Sequence, residues 1–392
     1  MRYLSAHYIF PVSSPALQNG IIGVDDDGCI VDVIDTGAKL EEREKPEFYN
    51  GILVPGFINA HCHLELSHLC GVMEQNSGLP GFISSIGKAR KANIETILDA
   101  AKIADEEMTR YGIVAVGDIS NNSDTLHIKR NSNILYRTFV EIFGLDDSRS
   151  EEIFTAAKQV EQEYRRAGMP ASIVPHAIYS VSGALWEMLH QLYKSSPPQV
   201  VSMHHQESSE ESDVFWEGKG ELAGTFRKNG LLTNPKPETR NKKMCLQEAS
   251  RCLLVHNIFS TKEDLSKYTT PPGRYFFVLC PRSNLFIQNR LPDLLLFYTQ
   301  KPRQNICLGT DSLASNTSLS ILEEMKIIQQ HAPEIPLEMI VRWATLNGAY
   351  SLGFSHLLGS LEKGKAPGIN LITHIDVENM RLTAESTVKK LA

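Results

Sequence analysis

The sequence predicts an α/β fold in which a (β/α)8 barrel is combined with a small β-sandwich domain built from both chain ends. Eight short apolar runs alternate with longer stretches of helical period. These runs are almost continuously apolar, which is typical of parallel strands buried on both faces. Further strand-like runs lie at the two chain ends. We therefore expect residues 55–354 to form the barrel and residues 1–54 and 355–392 to form the β-sandwich.

The predicted elements follow one another in a regular order. Asn19-Gly20 and Asp27-Gly28 are hairpin signals, and they predict short strands at 21–24 and 29–34. The barrel strands are predicted at 57–60, 113–116, 137–142, 171–174, 200–203, 252–255, 275–279 and 305–308. The main helices are predicted at 94–111, 150–167, 183–193 and 337–350. The last terminal strands are predicted at 369–372 and 386–391. Polar segments follow the ends of the barrel strands, where such barrels place their chemistry.

Composition and charge favour a small molecule as the partner of this chain. The 392 residues are 42% hydrophobic and carry a formal net charge of -7, so the basic stripe of a nucleic-acid-binding protein is not expected. No run reaches the roughly 18–20 apolar residues of a membrane span, and residues 1–11 lack the pattern of a signal peptide. The seven cysteines contain no C-x-x-C pair, which favours reduced thiols and a cytoplasmic location.

The strongest local signal is the segment PGFINAHCHLE at 55–65. Side chains alternate along a strand, so His61 and His63 share one face while Cys62 points to the other. Two imidazoles placed in this way at the end of a buried strand suit a divalent cation. The segment therefore predicts half of a metal site.

Three other strand ends supply further candidates. His204 and His205 are adjacent, so only one can point inward; His204 is preferred because Glu207 then lies nearby, and His205 stays open if the strand end is kinked. Asp311 ends an apolar run in LGTDS, where it could instead cap a helix. His256 ends another strand, where it could instead be a buried histidine bonded to the backbone.

Together these residues predict one divalent metal ion held by His61, His63, His204 and Asp311. Three imidazoles and one carboxylate suit Zn²⁺, which we expect first, with Fe²⁺ or Mn²⁺ as alternatives. Such a set leaves a position for a water molecule, whose pKa a metal ion lowers from about 15.7 towards about 7. A metal-dependent hydrolase follows from this pattern.

Seven segments together resemble the amidohydrolase superfamily, in its cytosine deaminase-like (ATZ/TRZ-like) branch. They are PGFINAHCHLE (55–65), HHQE (204–207), LVHN (254–257), CPRSN (280–284), LGTDSLASN (308–316), ATLNGA (344–349) and GSLEKGK (359–365). The resemblance implies the same four metal ligands, with Glu207 protonating a ring nitrogen, His256 holding the attacking water and Asp311 moving a proton. No lysine lies near 173–180, where two-metal relatives carry a carbamylated lysine, which implies one metal. Glu141 is a ligand in other relatives and stays an alternative.

A closer resemblance is to aminodeoxyfutalosine deaminases, carried by HCHLELSHLCG (61–71), GFISSIGKAR (81–90) and PHAIYSVS (175–182). It implies a hydrolytic deaminase of an amino-substituted nucleobase or nucleoside-like ring, with Glu65, Ser67 and His176 lining the substrate pocket. A chlorohydrolase or cyclic amidase, and a metal-binding homologue without turnover, are the alternatives. A homodimer and a lid formed by the polar stretch 208–249 are both left open by the sequence.

Overall fold

The computed structural model describes residues 1–40, 45–211, 214, 218–228, 245–268, 273–300 and 305–392. Its strands are β1 (Arg2–Ile9), β2 (Leu17–Gln18), β3 (Ile21–Val24), β4 (Ile30–Ile34), β5 (Glu47–Pro55), β6 (Phe57–Cys62), β7 (Ile113–Ser120), β8 (Leu135–Ile142), β9 (Ala171–Pro175), β10 (Val200–His205), β11 (Arg251–His256), β12 (Tyr275–Leu279), β13 (Ile306–Leu308), β14 (Ile369–Asp376) and β15 (Arg381–Lys390). All eight strands predicted for the barrel are present, with ends shifted by a few residues.

Helices connect most of these strands. They are α1 (Gly78–Ala89), α2 (Ile94–Arg110), α3 (Leu126–Asn131), α4 (Ser150–Arg166), α5 (Gly183–Ser195), α6 (Gly220–Lys228), α7 (Lys262–Ser266), α8 (Pro281–Gln288), α9 (Leu294–Gln300), α10 (Ile321–His331), α11 (Leu337–Ala344) and α12 (Leu346–Leu352), with 3₁₀ helices at Leu64–Leu69, Asp147–Arg149 and Cys245–Glu248. None of the helices in the described ranges is long and apolar enough to cross a membrane.

Two parallel sheets of four strands each place the polar strand ends. Their orders are β6-β7-β8-β9 and β10-β11-β12-β13, and β6, β7, β9, β10 and β12 are buried along their whole length. Isolated parallel bridges also join Ala177 to His204 and Cys62 to Asp311. The mixed α/β class predicted from the apolar runs is confirmed.

Amphipathic helices cover these sheets because their apolar residues recur every three or four positions. In α2, for example, Ala101, Ala104 and Met108 are buried in the main core, and the Asn93 side chain accepts a hydrogen bond from the Glu95 amide at the helix start. The helix thus fixes the layer that supports β6 and β7.

The prediction of one helix over 337–350 is wrong, because the structure has two helices there. The backbone leaves the helical region at Thr345, with φ −132° and ψ −89°, and the chain resumes as α12. The Thr345 hydroxyl donates to the Val341 carbonyl at 2.7 Å, which is a local bond that competes with regular helix geometry. Apolar periodicity continued across this break and concealed it.

A third sheet combines strands from both chain ends, in the order β15-β14-β5-β1-β3-β4, with β2 paired to β1. Its core includes Leu4, Leu53 and Leu371. The Asn370 side chain donates to the Gly112 carbonyl at 2.8 Å, which ties this sheet to the start of β7. Within the polar stretch 208–249, α6 is described; 212–213, 215–217 and 229–244 lie outside the described residues, so the lid stays a prediction.

Candidate active site

Five of the predicted residues lie together at the carboxyl ends of parallel strands. His61 lies near the end of β6, and His63 follows that strand. His204 lies near the end of β10, and His256 is the last residue of β11. Asp311 follows β13. All five side chains are buried. Because parallel strands direct their carboxyl ends to the same edge, residues far apart in sequence converge there.

The ring nitrogens and the carboxylate approach one another closely. The Nε2 atoms of His61 and His63 are 3.2 Å apart, and Asp311 Oδ1 lies 3.7 Å and 3.5 Å from them respectively. The ring centroids of His61 and His204 are 4.9 Å apart. One ring nitrogen each from His61, His204 and His256 also lies within 4.8 Å of the other two, so His256 belongs to the same cluster.

The two adjacent histidines at the end of β10 point in different directions. The His204 ring lies among the clustered imidazoles. The His205 ring instead contacts Asn257 Oδ1 at 3.0 Å through Nδ1 and the Tyr268 hydroxyl at 3.1 Å through Nε2. The regular alternation of the strand thus persists to its last residue, and the kink that would have favoured His205 begins one residue later, at Gln206 with φ 50°.

Backbone geometry brings Asp311 to the end of β6. Asp311 has φ 59° and His256 has φ 76°, a left-handed conformation that is costly for residues with a Cβ and that often occurs at functional sites. The amides of Thr310 and Asp311 both donate to the His61 carbonyl, at 3.1 Å and 3.0 Å. The last strand of the second sheet is therefore held directly against the first.

Neighbouring polar groups orient the clustered side chains. His256 Nδ1 lies 2.9 Å from Asn284 Oδ1, which assigns the proton to Nδ1 and leaves the Nε2 lone pair facing the cluster. His204 Nδ1 lies 3.1 Å from the His176 carbonyl and is oriented in the same way. The Ser283 hydroxyl donates to Asp311 Oδ2 at 2.7 Å. Such outer contacts fix the ring orientation and tautomer of metal-binding histidines.

Burial sets the charge state of the cluster. Burial lowers the pKa of His61, His63 and His204 below the ordinary range, so these imidazoles are neutral at pH 7. Burial alone would raise the pKa of Asp311, but the positive charge that His63 and His256 carry when protonated at low pH, together with the Ser283 hydroxyl, holds it below its usual value. Neutral imidazoles and an ionised carboxylate are the forms that bind a metal cation.

Two buried carboxyl groups stand beside the cluster, on the loop after β10. Glu207 Oε1 lies 3.8 Å from His256 Nε2, and burial raises the pKa of Glu207 to about 7. The Glu211 carboxylate accepts hydrogen bonds from the amides of Gln206, Glu207 and Ser208, at 2.9, 2.6 and 3.2 Å. Glu211 therefore holds the turn that presents Glu207 to the cluster.

These side chains open into a cavity of about 430 Å³, a size typical of small-molecule sites. Its polar lining includes Asn121, Glu141, His176 and Glu207, together with the clustered imidazoles and Asp311. Its apolar lining comes mainly from α1 (Leu79, Phe82, Ile83 and Ile86), from Phe226 of α6 and from Phe143. The cavity can therefore hold an organic ring against the nitrogen and oxygen donors.

The structure treats the three predicted substrate contacts differently. His176 lines the cavity and stacks on His204 with ring centroids 4.6 Å apart. Glu65 and Ser67 do not line it; in the 3₁₀ helix Leu64–Leu69, which follows His63 directly, the residue between them, Leu66, lines the cavity instead. There the Ser67 hydroxyl donates to the Leu64 carbonyl at 2.7 Å. Direct contact of Glu65 or Ser67 with a substrate stays a prediction.

Asn121 and Arg90 are among the polar residues of the cavity wall that were not predicted from the sequence. Asn121 follows β7, and its backbone N–H donates to Glu65 Oε2 at 3.0 Å. Arg90 follows α1 and donates to Asn121 Oδ1 at 3.2 Å. A polar residue just after the second barrel strand was the available signal for Asn121, whereas the position of Arg90 depends on how α1 packs and had no comparable signal.

Comparisons with known proteins place this arrangement among hydrolases. The chain is 27% identical over 330 residues to an adenosine deaminase of Helicobacter pylori, covering 83% of this chain and 79% of the relative. It is 26% identical over 334 residues to an aminodeoxyfutalosine deaminase of Nitratiruptor, covering 82% and 79%. The predicted resemblance to deaminases of this kind is confirmed.

Solved structures share the fold. Helicobacter pylori aminofutalosine deaminase in complex with methylthio-coformycin superimposes with a TM-score of 0.79 at 24% identity, covering 98% of this chain and 94% of that one. An adenosine deaminase from Xanthomonas campestris with bound zinc has a TM-score of 0.72 at 22% identity, covering 97% and 86%. The sequence model of the amidohydrolase family matches residues 52–390. By this match over most of its length, the chain belongs to the amidohydrolase family.

Proposed function

We propose that the chain is a metal-dependent hydrolytic deaminase that releases ammonia from an amino-substituted nucleobase or nucleoside-like ring, of the adenosine or aminodeoxyfutalosine kind. The observation that carries this proposal is the convergence of three imidazoles and Asp311 with Glu207 and His256 in one buried cavity. The deaminase names of the relatives support the same reaction class. It is a hydrolase acting on carbon–nitrogen bonds.

His61, His63, His204 and Asp311 would hold one divalent ion, with Zn²⁺ expected first and Fe²⁺ or Mn²⁺ as alternatives. The residues fit this role because the Nε2 atoms of His61 and His63 face each other at 3.2 Å, and a cation satisfies both lone pairs. A zinc-bound structural relative supports the choice of metal. When bound, Zn²⁺ makes water acidic enough to serve as a nucleophile near neutral pH.

The carboxylate of Asp311 accepts the proton of the attacking water and later returns it to the departing amine. Ser283 and Ser315 both donate to Oδ2, at 2.7 and 3.0 Å, so Oδ2 is held and Oδ1 faces His61 and His63. This leaves Oδ1 as the oxygen that exchanges protons, and it is fixed in position. General acid–base transfer of this kind contributes about 10²- to 10⁴-fold to the rate.

Glu207 supplies a proton to the ring nitrogen next to the reacting carbon, and it regains one from the hydroxyl group on that carbon as the carbonyl forms and ammonia leaves. Its raised pKa keeps part of the population protonated at neutral pH, and protonation prevents negative charge from building up on the ring. His256, whose Nε2 accepts no hydrogen bond from the described residues, accepts one from the attacking water. Asn284 Oδ1 accepts a hydrogen bond from the His256 Nδ1–H group, which keeps the proton on Nδ1 and leaves Nε2 unprotonated.

The overall architecture follows the same proposal. The eight strands β6–β13 would close into a (β/α)8 barrel over residues 55–354, and the parallel bridges Ala177–His204 and Cys62–Asp311 support closure between the two sheets. The terminal sheet would form the β-sandwich domain of residues 1–54 and 355–392. A cytoplasmic location is proposed because the seven cysteines of the sequence contain no C-x-x-C pair, which favours reduced thiols.

Ammonia release tests the proposed reaction. The purified zinc-loaded protein is assayed with adenosine, aminodeoxyfutalosine, methylthioadenosine, adenine, guanine and cytosine, and a chlorotriazine is included with chloride as its readout. The proposal expects ammonia from at least one purine-type substrate, and loss of that activity in Glu207→Gln but not in Glu221→Gln, whose side chain is exposed. Chloride release without ammonia release would establish a chlorohydrolase instead.

A further inference from the structure

One buried carboxylate of the cavity wall is left without a role by the proposed chemistry. Glu141 lies near the carboxyl end of β8, is 8% exposed and lines the cavity. Its Oε2 is 3.5 Å from Asn121 Nδ2. Its Oε1 has no hydrogen-bond partner among the described residues.

The environment of Oε1 leaves this oxygen available to a ligand. His204 Nδ1 lies 3.5 Å from this oxygen. That nitrogen lies nearer to the His176 carbonyl, at 3.1 Å, and donates its hydrogen bond there. A buried carboxylate oxygen without a donor is costly, because its desolvation is not offset. A bound molecule that brings a donor to this position would recover that cost.

The side chains beside Glu141 hold it in place. Asn121 Nδ2 also donates to the Glu141 carbonyl, at 3.3 Å, and Asn121 Oδ1 accepts from Arg90 at 3.2 Å. Arg90 is in turn 3.7 Å from Glu65 Oε1. This chain of contacts fixes the carboxylate in the wall, so Oε1 is a preorganised acceptor.

We propose that Glu141 is a specificity-determining residue, whose Oε1 accepts a hydrogen bond from a second donor on the substrate, besides the amine that leaves. Because Oε1 has no donor among the described residues and a carboxylate oxygen accepts hydrogen bonds, the partner on the substrate is a hydroxyl or an N–H group. This inference rests on the proposed function, because it names the chemistry of the substrate bound at the same site. The donor comes either from a hydroxyl on the ring's substituent or from a ring N–H.

Equilibrium binding tests this inference without requiring turnover. The zinc-loaded protein is titrated calorimetrically with purine riboside, which lacks the leaving amine, with its 2′-, 3′- and 5′-deoxy forms, with purine and with 9-methylpurine. The same titrations are made on Glu141→Ala, on Glu141→Gln and on Glu151→Gln, an exposed control carboxylate on α4.

We expect removal of one donor to weaken binding about tenfold or more in the wild type and in Glu151→Gln. In Glu141→Ala the same removal should change Kd by less than about twofold, because the acceptor is already gone. A deoxy form that binds more weakly than purine riboside in the wild type, but not in Glu141→Ala, identifies the missing hydroxyl as the donor. The same pattern for 9-methylpurine compared with purine identifies the ring N–H as the donor. Equal losses in wild type and Glu141→Ala for every analogue, or no binding of any of them, overturn the inference.

Zinc content distinguishes a direct contact of Glu141 with the substrate from an indirect effect of Glu141 on the metal site through His204. We expect Glu141→Ala and Glu141→Gln to keep the zinc content of the wild type; loss of zinc in both would mean that Glu141 acts on the metal site, and it would overturn the inference. Ammonia release is measured in parallel on the reactive nucleosides. Coupled binding without ammonia release would refute the proposed deaminase while the assignment of Glu141 as an acceptor stands.

Discussion

Gly309 is the position where one added methyl group should disturb the metal site most directly. Gly309 lies two residues before Asp311, and its amide donates to the Leu279 carbonyl at 3.0 Å. A Cβ at this position would lie 2.9 Å from His61 Cβ and 3.0 Å from both the nitrogen and the oxygen of the His61 backbone. These atoms cannot swing aside as the end of a flexible side chain could, so β6 and the Asp311 loop must separate.

The Gly309→Ala variant should therefore be destabilised by about 1–3 kcal/mol, the usual cost of overpacking a well-packed interior. Because the displacement falls between His61 and Asp311, we also expect zinc affinity to fall about 10- to 100-fold, as when outer contacts of a metal site are lost. The assays are thermal unfolding of the zinc-free protein and competition for zinc with a chromogenic chelator.

Gly224→Ala is the matched control, because it adds the same methyl group where the structure has room. Gly224 lies within α6, and a Cβ there would meet nothing within 4 Å. Alanine favours a helix over glycine by about 0.5–1 kcal/mol, so this variant should be slightly more stable, with unchanged zinc affinity. If Gly309→Ala matches the wild type in both stability and zinc affinity, the close approach of β13 to β6 is refuted.

Three further outcomes are expected together. Glu207→Gln should lower kcat about 10²- to 10⁴-fold while retaining zinc; loss of zinc as well would contradict its separate role. Since burial raises the pKa of Glu207 to about 7 and the protonated form is the donor, kcat/KM should be highest below pH 7 and fall about tenfold per pH unit above it; a profile that rises there would refute this assignment. Removal of the metal by a chelator should abolish ammonia release and lower Tm, with both restored by Zn²⁺; a chelated protein that stays active would exclude the metal.

The predicted ligands could be found from sequence because each lies at a strand end, where the pattern of a buried strand changes to polar residues. The two-residue alternation placed His61 and His63 on one face, and it separated His204 from His205. The structure brings these residues together because the strands of the two four-stranded sheets pair in parallel. Such information is local, so the sequence carries it without the tertiary fold.

The cavity wall was less predictable because it depends on how separate elements pack. Glu65 and Ser67 follow the ligands closely in sequence, yet in the 3₁₀ helix Leu64–Leu69 it is Leu66 between them that lines the cavity. Arg90 reaches the cavity from α1 and is oriented by Asn121. Glu211 likewise acts through three backbone amides, and a side chain that bonds to the backbone leaves no periodic pattern to detect.

Anomalous scattering at the zinc absorption edge, recorded from crystals of the zinc-loaded protein, tests the central claim most directly. The account predicts one strong peak within about 2.0–2.2 Å of a ring nitrogen of each of His61, His63 and His204 and of an Asp311 oxygen. A peak bound instead by Glu141 and His176, or no peak among these four side chains, would contradict it.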